Sequence, residues 1–498
     1  MSVADLATWQ TRANALKLRN QALIDGHFVD AQGGQTFATI NPANGQKLAD
    51  VAACQQADVD LAVKAARRSF ESGAWSQQHP SERKRVLLRL SSLIEQHCEE
   101  LALLETLDMG KPISDALAYD LPETSKCFAW YGEAIDKQYD EIAPTGPDAL
   151  ATITREPLGV VAAVVPWNYP LMMASWKVAP ALAAGNSVLL KPAEQSPLSA
   201  LRLAELAAEA GIPPGVFNVL PGLGPVTGQA LGLHMDVDCL AFTGSTATGK
   251  RFMAYASESN LKRVWLECGG KSPHIVFDDC PDLDKAAQAA AVGVFSNQGE
   301  VCIAGSRLYV QDSIYDMFMD KVAKCALSMR PNNPLDPSTT MGAIVTEGQM
   351  RRVLGYIDSG LREGAGLRAG GKQVHTESGG YYIEPTIFDC PHQAIRIVNE
   401  EIFGPVLAAQ RFHTEDEVVT LANDSPYGLG AGLWTSQLAR AHRVSRRLRA
   451  GLVWVNCYFD GDITVPFGGV KQSGFGRDKS LHALDKYSDF KTTWINLL

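Results

Sequence analysis

GVVAAVV (159–165), NSVLLK (186–191), VFNVL (216–220) and CLAFTG (239–244) are four short apolar runs, each closed by Pro, Gly or Lys. They are apolar at nearly every position, not at every second one. That suits strands buried on both faces, as in a parallel sheet covered by helices. Residues 197–211, between the second and third runs, place apolar side chains three and four apart, a helical period. The runs and their intervening helices predict a doubly wound α/β unit, where ligands bind beyond the carboxyl ends of the strands.

Outward from this segment, 59–71 and 82–108 also read as amphipathic helices. A second alternation from Ser272 to about Phe467 carries HIVFDD, SRLYVQD, PTIFD, VLAAQRF and LVWVN, and predicts another α/β unit. Residues 138–157 and the tail after Tyr487 fit neither unit, and are expected to pair with each other or with another subunit. At 498 residues the chain needs two or three structural units. Its 46% hydrophobic and 20% charged residues are the balance of a globular protein. A formal net charge of −10 argues against nucleic acid or an anionic membrane as partner. It leaves room for an anionic cofactor held by backbone dipoles.

The first residues, MSVADLATWQ, carry no apolar signal-peptide core, and the most apolar stretch, Leu158 to Leu190, is broken by Pro166, Asn168, Pro170, Lys177 and Pro180. The ten cysteines form no CxxC and no Cys/His spacing that suits zinc, so no metal is expected. Without an export signal they read as reduced thiols of a cytoplasmic protein.

CLAFTGSTATGKR nearly matches the phosphate-binding pattern G-x-x-x-x-G-K-[ST] from Gly244 to Lys250, but Arg251 replaces the hydroxyl that would ligate magnesium. An NTPase is therefore a poor reading. Gly244, Ser245 and the following helix N-terminus either hold a pyrophosphate or form a plain glycine turn. GLGPVTG (222–228) is a weak glycine cluster. Lys191 and Glu194, behind a strand end, either reach a ribose and phosphate or are a snorkelling lysine and a solvated glutamate. Asn168 caps a turn or donates to an oxyanion, and Glu267 is paired structurally or acts as a base of raised pKa. Cys302 lies among small and polar residues, and so is only modestly favoured over the other nine as a nucleophile.

VPWNYP, KPAEQSP, FTGST, LECGGKS, FSNQGEVC, NEEIFGPV and PFGGVKQSGFGR occur in this order from Val165 to Arg477. The series closely resembles the aldehyde dehydrogenase superfamily over nearly the whole chain. The resemblance implies a Rossmann-like cofactor domain (1–137 and 158–267), an α/β catalytic domain (268–481) and a small β oligomerisation arm (138–157 and 482–498). It implies that Cys302 is the nucleophile and Glu267 the general base. Asn168, with the Cys302 backbone N–H, forms the oxyanion hole. Pro166, Trp167, Lys191, Glu194, Gly224, Gly244, Ser245, Glu401 and Phe403 are implied to bind NAD. The thiolate attacks the aldehyde, the adduct gives hydride to the nicotinamide, and Glu267 activates water to hydrolyse the thioester. Relatives that transfer the acyl group to coenzyme A generally lack this base, so its presence favours water. Glu194 favours NAD over NADP, because it repels a 2′-phosphate. Glu300 stands where Gln is also common.

The resemblance further implies that Tyr169, Met173, Trp176, Val301, Ile303, Phe459 and Asp460 line the aldehyde tunnel. Gly461 widens its entrance, and Asp460 with Asp462 is expected to attract a cationic far end. The whole chain resembles the bacterial group that acts on γ-glutamyl-γ-aminobutyraldehyde and other ω-amino or guanidino aldehydes from polyamine catabolism. A broad-specificity aliphatic aldehyde dehydrogenase is the alternative, and a non-redox cysteine hydrolase a distant one. A homo-oligomer, dimer or tetramer, is expected.

Overall fold

In the computed structural model, five parallel strands make the centre of the first sheet: β1 (Val160–Val164), β2 (Ser187–Lys191), β3 (Phe217–Val219), β4 (Cys239–Thr243) and β5 (Arg263–Glu267). The structure describes residues 4–498, so the first three residues of the expected 1–137 segment lie outside it. The strand order is β3-β2-β1-β4-β5. It reverses between β1 and β4, the switch point at which a crevice opens. Every residue of β1, β2 and β4 is buried, as continuous apolar runs require. The helix Pro170–Ala183 is buried along its whole length, and Pro170 starts it where a missing N–H costs nothing.

Both edges of this sheet gain antiparallel strands that the apolar runs do not announce. The hairpin Ala22–Ile24/His27–Val29 joins β3, and its turn puts Asp25 and Gly26 at φ 55° and 80°, the twist two-residue hairpins prefer. Gly474–Phe475 pairs with Leu266 and Glu267 of β5, although it comes from the range expected to serve the other unit. The unpaired edge of β5 supplies the reason, since backbone groups left there need partners. The 82–108 segment is two helices, Pro80–Gln96 and Cys98–Met109, broken at His97. The first buries one face. The second is buried at every residue from Leu101 on, so the break turns the chain into the core.

The second sheet contains β6 (Pro273–Val276), β7 (Arg307–Gln311), β8 (Gly366–Ala369), β9 (Thr386–Asp389), β10 (Val406–Phe412), β11 (Gly430–Trp434) and β12 (Leu452–Val455). Its order is β8-β9-β10-β7-β6-β11-β12, parallel except for the β8/β9 pair. A third sheet joins the two orphan segments: Ser488–Asn496 runs antiparallel to Ala149–Pro157, which also pairs with Glu141–Ala143. Among the described residues, no helix is long and apolar enough to cross a membrane.

Candidate active site

Cys302 sits in the loop after the helix Leu283–Phe295, and that loop is forced into an uncommon path. Asn297, Gln298 and Gly299 take φ values of 47°, 56° and 72° in succession. Left-handed backbone at two non-glycine residues is costly and persists only when neighbours fix it. Here they do. Gln298 Oε1 accepts from the Gly342 N–H at 2.8 Å, and Glu300 Oε1 accepts from the Val345 N–H at 3.1 Å. A Cβ at Gly299 would strike the Gly404 backbone, so only glycine fits.

Asn168 lies at the carboxyl end of β1 and is buried. Its Nδ2 donates to the Glu300 carbonyl at 2.8 Å, while Asn297 Nδ2 donates to the Asn168 carbonyl at 3.1 Å. One hydrogen of the Asn168 amide therefore ties it to the thiol's own loop, and the other is left for a ligand. The backbone amides of Ile303 and Cys302 favour the ionised sulfur electrostatically. Burial, and next the Glu267 and Glu401 carboxylates, nonetheless push the Cys302 thiol well above its ordinary value. At rest it is protonated.

Glu267 ends β5, is 5% exposed, and has one carboxylate oxygen without a hydrogen-bond partner. Burial, then the nearby Asp478 carboxylate, raises its pKa to about 8, against the pull of Lys177, Lys486 and Arg477. Such a group is poised to exchange a proton near neutrality. The glycines that follow bring the second unit in close. Glu401 accepts from the Gly270 N–H at 2.9 Å, and a Cβ at Gly269 would meet the Glu401 carboxylate. A Cβ at Gly270 would meet the Cys302 carbonyl.

The residues expected to hold a dinucleotide gather at the carboxyl ends of the parallel strands. Pro166 and Trp167 follow β1, Lys191 closes β2 with Glu194 behind it, Gly224 follows β3, and Gly244 and Ser245 follow β4. Ser245 caps the helix Thr246–Glu258, its hydroxyl accepting from the Thr248 N–H at 3.3 Å. Lys191 is buried, donates to the Pro192 carbonyl at 3.0 Å and lies 3.3 Å from Glu194. From the second unit Phe403, at φ 58°, meets Trp167 edge-on with ring centroids 5.2 Å apart.

A cavity of about 650 Å³ opens at Cys302, and Tyr169, Met173, Trp176, Val301, Ile303, Phe459 and Asp460 all line it. Asp460 is exposed at the rim, its backbone carbonyl held by Trp454 Nε1 at 2.6 Å. Asp462 departs from the expectation. It does not line the cavity, and Lys126 engages its carboxylate at 2.8 Å and holds it far below the usual range. Its charge is already answered, so it does not read a substrate.

Charged residues on the wall that the sequence reading missed are Lys111, Asp115, Asp120, Glu123 and Lys479. Lys111 and Asp120 form a buried ion pair, and Lys111 sits 4.1 Å from the centre of the Tyr169 ring. Burial, then the Asp120 carboxylate, pushes Asp115 up to about 6. The carboxylates in KPISDALAYD were the available signal, but their spacing reaches one wall only because Ala116–Asp120 is a π-helical turn. Among the described residues no group of three or more His, Cys, Asp or Glu could hold a metal ion.

The model of the aldehyde dehydrogenase family matches residues 28–493. An Escherichia coli K12 protein named NADP/NAD-dependent aldehyde dehydrogenase is 52% identical over 497 residues, covering all of both chains. A solved indole-3-acetaldehyde dehydrogenase in complex with NAD+ is 57% identical, with a TM-score of 0.99 over 99% of this chain and 100% of that one. A γ-glutamyl-γ-aminobutyraldehyde dehydrogenase from Burkholderia cenocepacia is also 57% identical, with a TM-score of 0.98 over 99% of this chain and 100% of that one. Parallel strands that reverse their order at a switch point, a thiol and a buried carboxylate near it, and these likenesses over full length converge: the chain belongs to the aldehyde dehydrogenase family.

Proposed function

We propose that this NAD-dependent aldehyde dehydrogenase oxidises aldehydes with a charged far end, ω-amino and γ-glutamylamino aldehydes among them, to carboxylic acids through a thioester on Cys302. The observation that carries the substrate reading is one cavity wall that holds the thiol, apolar side chains and the acidic residues Asp115 and Asp460. A cationic end is attracted to such a rim, while the apolar wall accommodates the carbon chain. Identity alone does not choose the substrate, because two equally similar solved enzymes carry names with different aldehydes.

The residues at the strand ends fit a dinucleotide. Gly224 opens onto free space, Gly244 carries no side chain, and Ser245 lies exposed at a helix N-terminus of thirteen residues that favours phosphate. Lys191 and Glu194 would hold the adenosine ribose, and Glu401 and Phe403 the nicotinamide side. When bound there, NAD supplies the hydride acceptor of the oxidation. Glu194 supports NAD over NADP, since a carboxylate repels a 2′-phosphate.

The protein's own residues do the rest. Cys302 passes its proton to solvent as the sulfur bonds to the aldehyde carbon, and the free Asn168 N–H with the Cys302 backbone N–H receives the negative oxygen. After oxidation, Glu267 takes a proton from water, hydroxide adds to the thioester carbon, and the thiolate leaves. The buried position of Glu267 keeps its carboxylate poorly solvated and therefore basic. All ten cysteines are free thiols, which supports a reducing, cytoplasmic location. The three-stranded sheet exposes Ile142, Phe490, Trp494 and Ile495, which supports its use as an oligomerisation arm.

A broad-specificity aliphatic enzyme is the second reading, favoured by Met173, Trp176, Val301 and Phe467 on the same wall. The deciding assay follows NADH with 4-aminobutyraldehyde and butyraldehyde in the wild type and in Asp460→Asn. The charged-end reading expects the kcat/KM ratio of amine to alkyl aldehyde to fall in the variant, and an unchanged ratio favours the second reading.

A further inference from the structure

Most lysine ammonium groups buried in this protein have partners; Lys271, which lies outside the cavity at Cys302, has no hydrogen-bond partner. Lys111 pairs with Asp120, Lys177 and Lys486 with Asp478, and Lys191 with Glu194. Lys262 donates to the Gly232 carbonyl and to Ser259 Oγ, each at 2.7 Å. Lys479 differs. It is 9% exposed and lines the cavity that holds Cys302, yet it makes no hydrogen bond and no ion pair among the described residues.

The acids nearest to it are spoken for. Glu123 and Asp462 both act on Lys479 electrostatically, but each is in contact with Lys126, at 3.6 Å and 2.8 Å. Lys126 stands on the outside of the wall and takes the two carboxylates that would otherwise neutralise Lys479. Inside, the ammonium has only the Trp176 ring, whose centre is 5.5 Å away. A buried cation without a counter-ion is costly, and an incoming anion relieves that cost.

The backbone directs this placement. Lys479 and Ser480 take φ values of 61° and 51°, left-handed at two consecutive non-glycine residues. They are pinned by the Ser480 N–H donating to the Ile463 carbonyl at 2.7 Å and Tyr131 Oη donating to the Ser480 carbonyl at 3.1 Å. Opposite, Gly461 leaves space: a Cβ there would lie 3.8 Å from Lys479 Nζ, so any larger side chain would crowd the ammonium.

We propose that Lys479 is a specificity-determining residue that binds a carboxylate at the far end of the aldehyde. With Asp460 on the rim, the mouth presents both signs of charge and matches an amino-acid-type end bearing ammonium and carboxylate together. This rests on the aldehyde-oxidising reading above and names the anionic half of the substrate that the acidic rim alone does not address.

The test compares succinic semialdehyde with butyraldehyde, two aldehydes of equal chain length that differ in the terminal carboxylate, in wild type, Lys479→Met and Lys479→Arg. The kcat/KM ratio of the first to the second is expected to fall roughly tenfold or more in Lys479→Met. The loss should appear in KM and not in kcat, and Lys479→Arg should keep most of the wild-type ratio. A ratio that does not move, or a loss confined to kcat, overturns the proposal. A wild-type measurement stands apart from any folding defect: succinate should inhibit butyraldehyde oxidation at least tenfold more strongly than butyrate, and equal inhibition also overturns it. If the wild type forms NADH with no aldehyde at all, the oxidation reading fails and takes this one with it. If it oxidises butyraldehyde normally and the two carboxylate tests fail, only the role of Lys479 is lost.

Discussion

Changing Glu267 to Gln removes the one carboxylate that ends β5 against the thiol, and its effect can be worked from the burial of that group. Burial and Asp478 place the Glu267 pKa at about 8. At pH 7 about a tenth of the enzyme then carries the ionised base, and at pH 9 about nine-tenths does, one pKa unit on either side of the midpoint. The rate of thioester hydrolysis should therefore rise roughly tenfold between these pH values in the wild type. Glutamine cannot take the proton from water. Its variant should still release one equivalent of NADH per Cys302 in a rapid burst, and then turn over roughly 10²–10⁴-fold more slowly. Its slow phase should lose the alkaline rise. Rapid-mixing absorbance of NADH across pH 6 to 10 separates the burst from the steady state. A slow phase in Glu267→Gln that still climbs tenfold through pH 8 would refute the assignment of the base, as would a variant that turns over at the wild-type rate.

Replacing Asn168 by Ala deletes the side-chain donor expected at the oxyanion and should lower kcat by roughly 10²–10³ with little change in KM; steady-state kinetics with any accepted aldehyde reads this. Asp478 stays below the usual carboxylate range because Lys177 and Lys486 outweigh its burial. Asp478→Asn leaves both ammoniums buried without an anion and should destabilise the fold by about 3–5 kcal/mol, visible as a marked fall in Tm. Glu300 is buried with one oxygen unpartnered, and burial holds its pKa well above the ordinary value despite the Val345 N–H. Its folded pKa is raised, so its contribution is full below the unfolded value and is lost as pH rises. Glu300→Gln should therefore gain Tm relative to wild type between pH 6 and pH 9, and a constant difference would contradict the neutral buried acid. Glu194→Gln should narrow the preference for NAD over NADP several-fold, measured as the ratio of the two kcat/KM values.

The four apolar runs from Gly159 to Gly244 could be read as parallel strands because burial on both faces leaves a local mark. Gly430–Trp434 left none. The run GAGLW has the wrong composition for a strand, and it works because Tyr458 and Trp454 lie where Gly432 and Gly430 would carry side chains. The hairpin at Asp25-Gly26 carried a turn signal in its two residues, but three-residue strands are too short for a periodicity. The site divides in the same way. Cys302, Glu267 and Asn168 stand in distinctive runs, and the family resemblance named them. Lys479 and Glu123 are ordinary charged residues in sequence, and only the packing that puts Lys126 between Glu123 and Asp462 makes Lys479 unusual. Asp462 shows the converse: its place in the loop suggested a substrate contact that a lysine from a distant helix already takes.

The chain passes from the first sheet to the second through Cys268–Lys271, and after β12 it comes back, so that Gly474–Phe475 hydrogen-bonds the edge of β5. The Cys268 N–H donates to the Ser473 carbonyl at 2.9 Å, placing the outgoing and returning segments side by side. Two crossings in opposite directions act as a stitch and not as a hinge: the halves cannot swing apart like jaws without pulling a strand from its sheet. That pairing predicts that the distance between the two sheets changes little, with motion confined to side chains and short loops. For an enzyme engineer, the stitch marks where a cut or insertion would convert a fixed jig into two loosely joined pieces, with Glu267 left on one and Cys302 on the other.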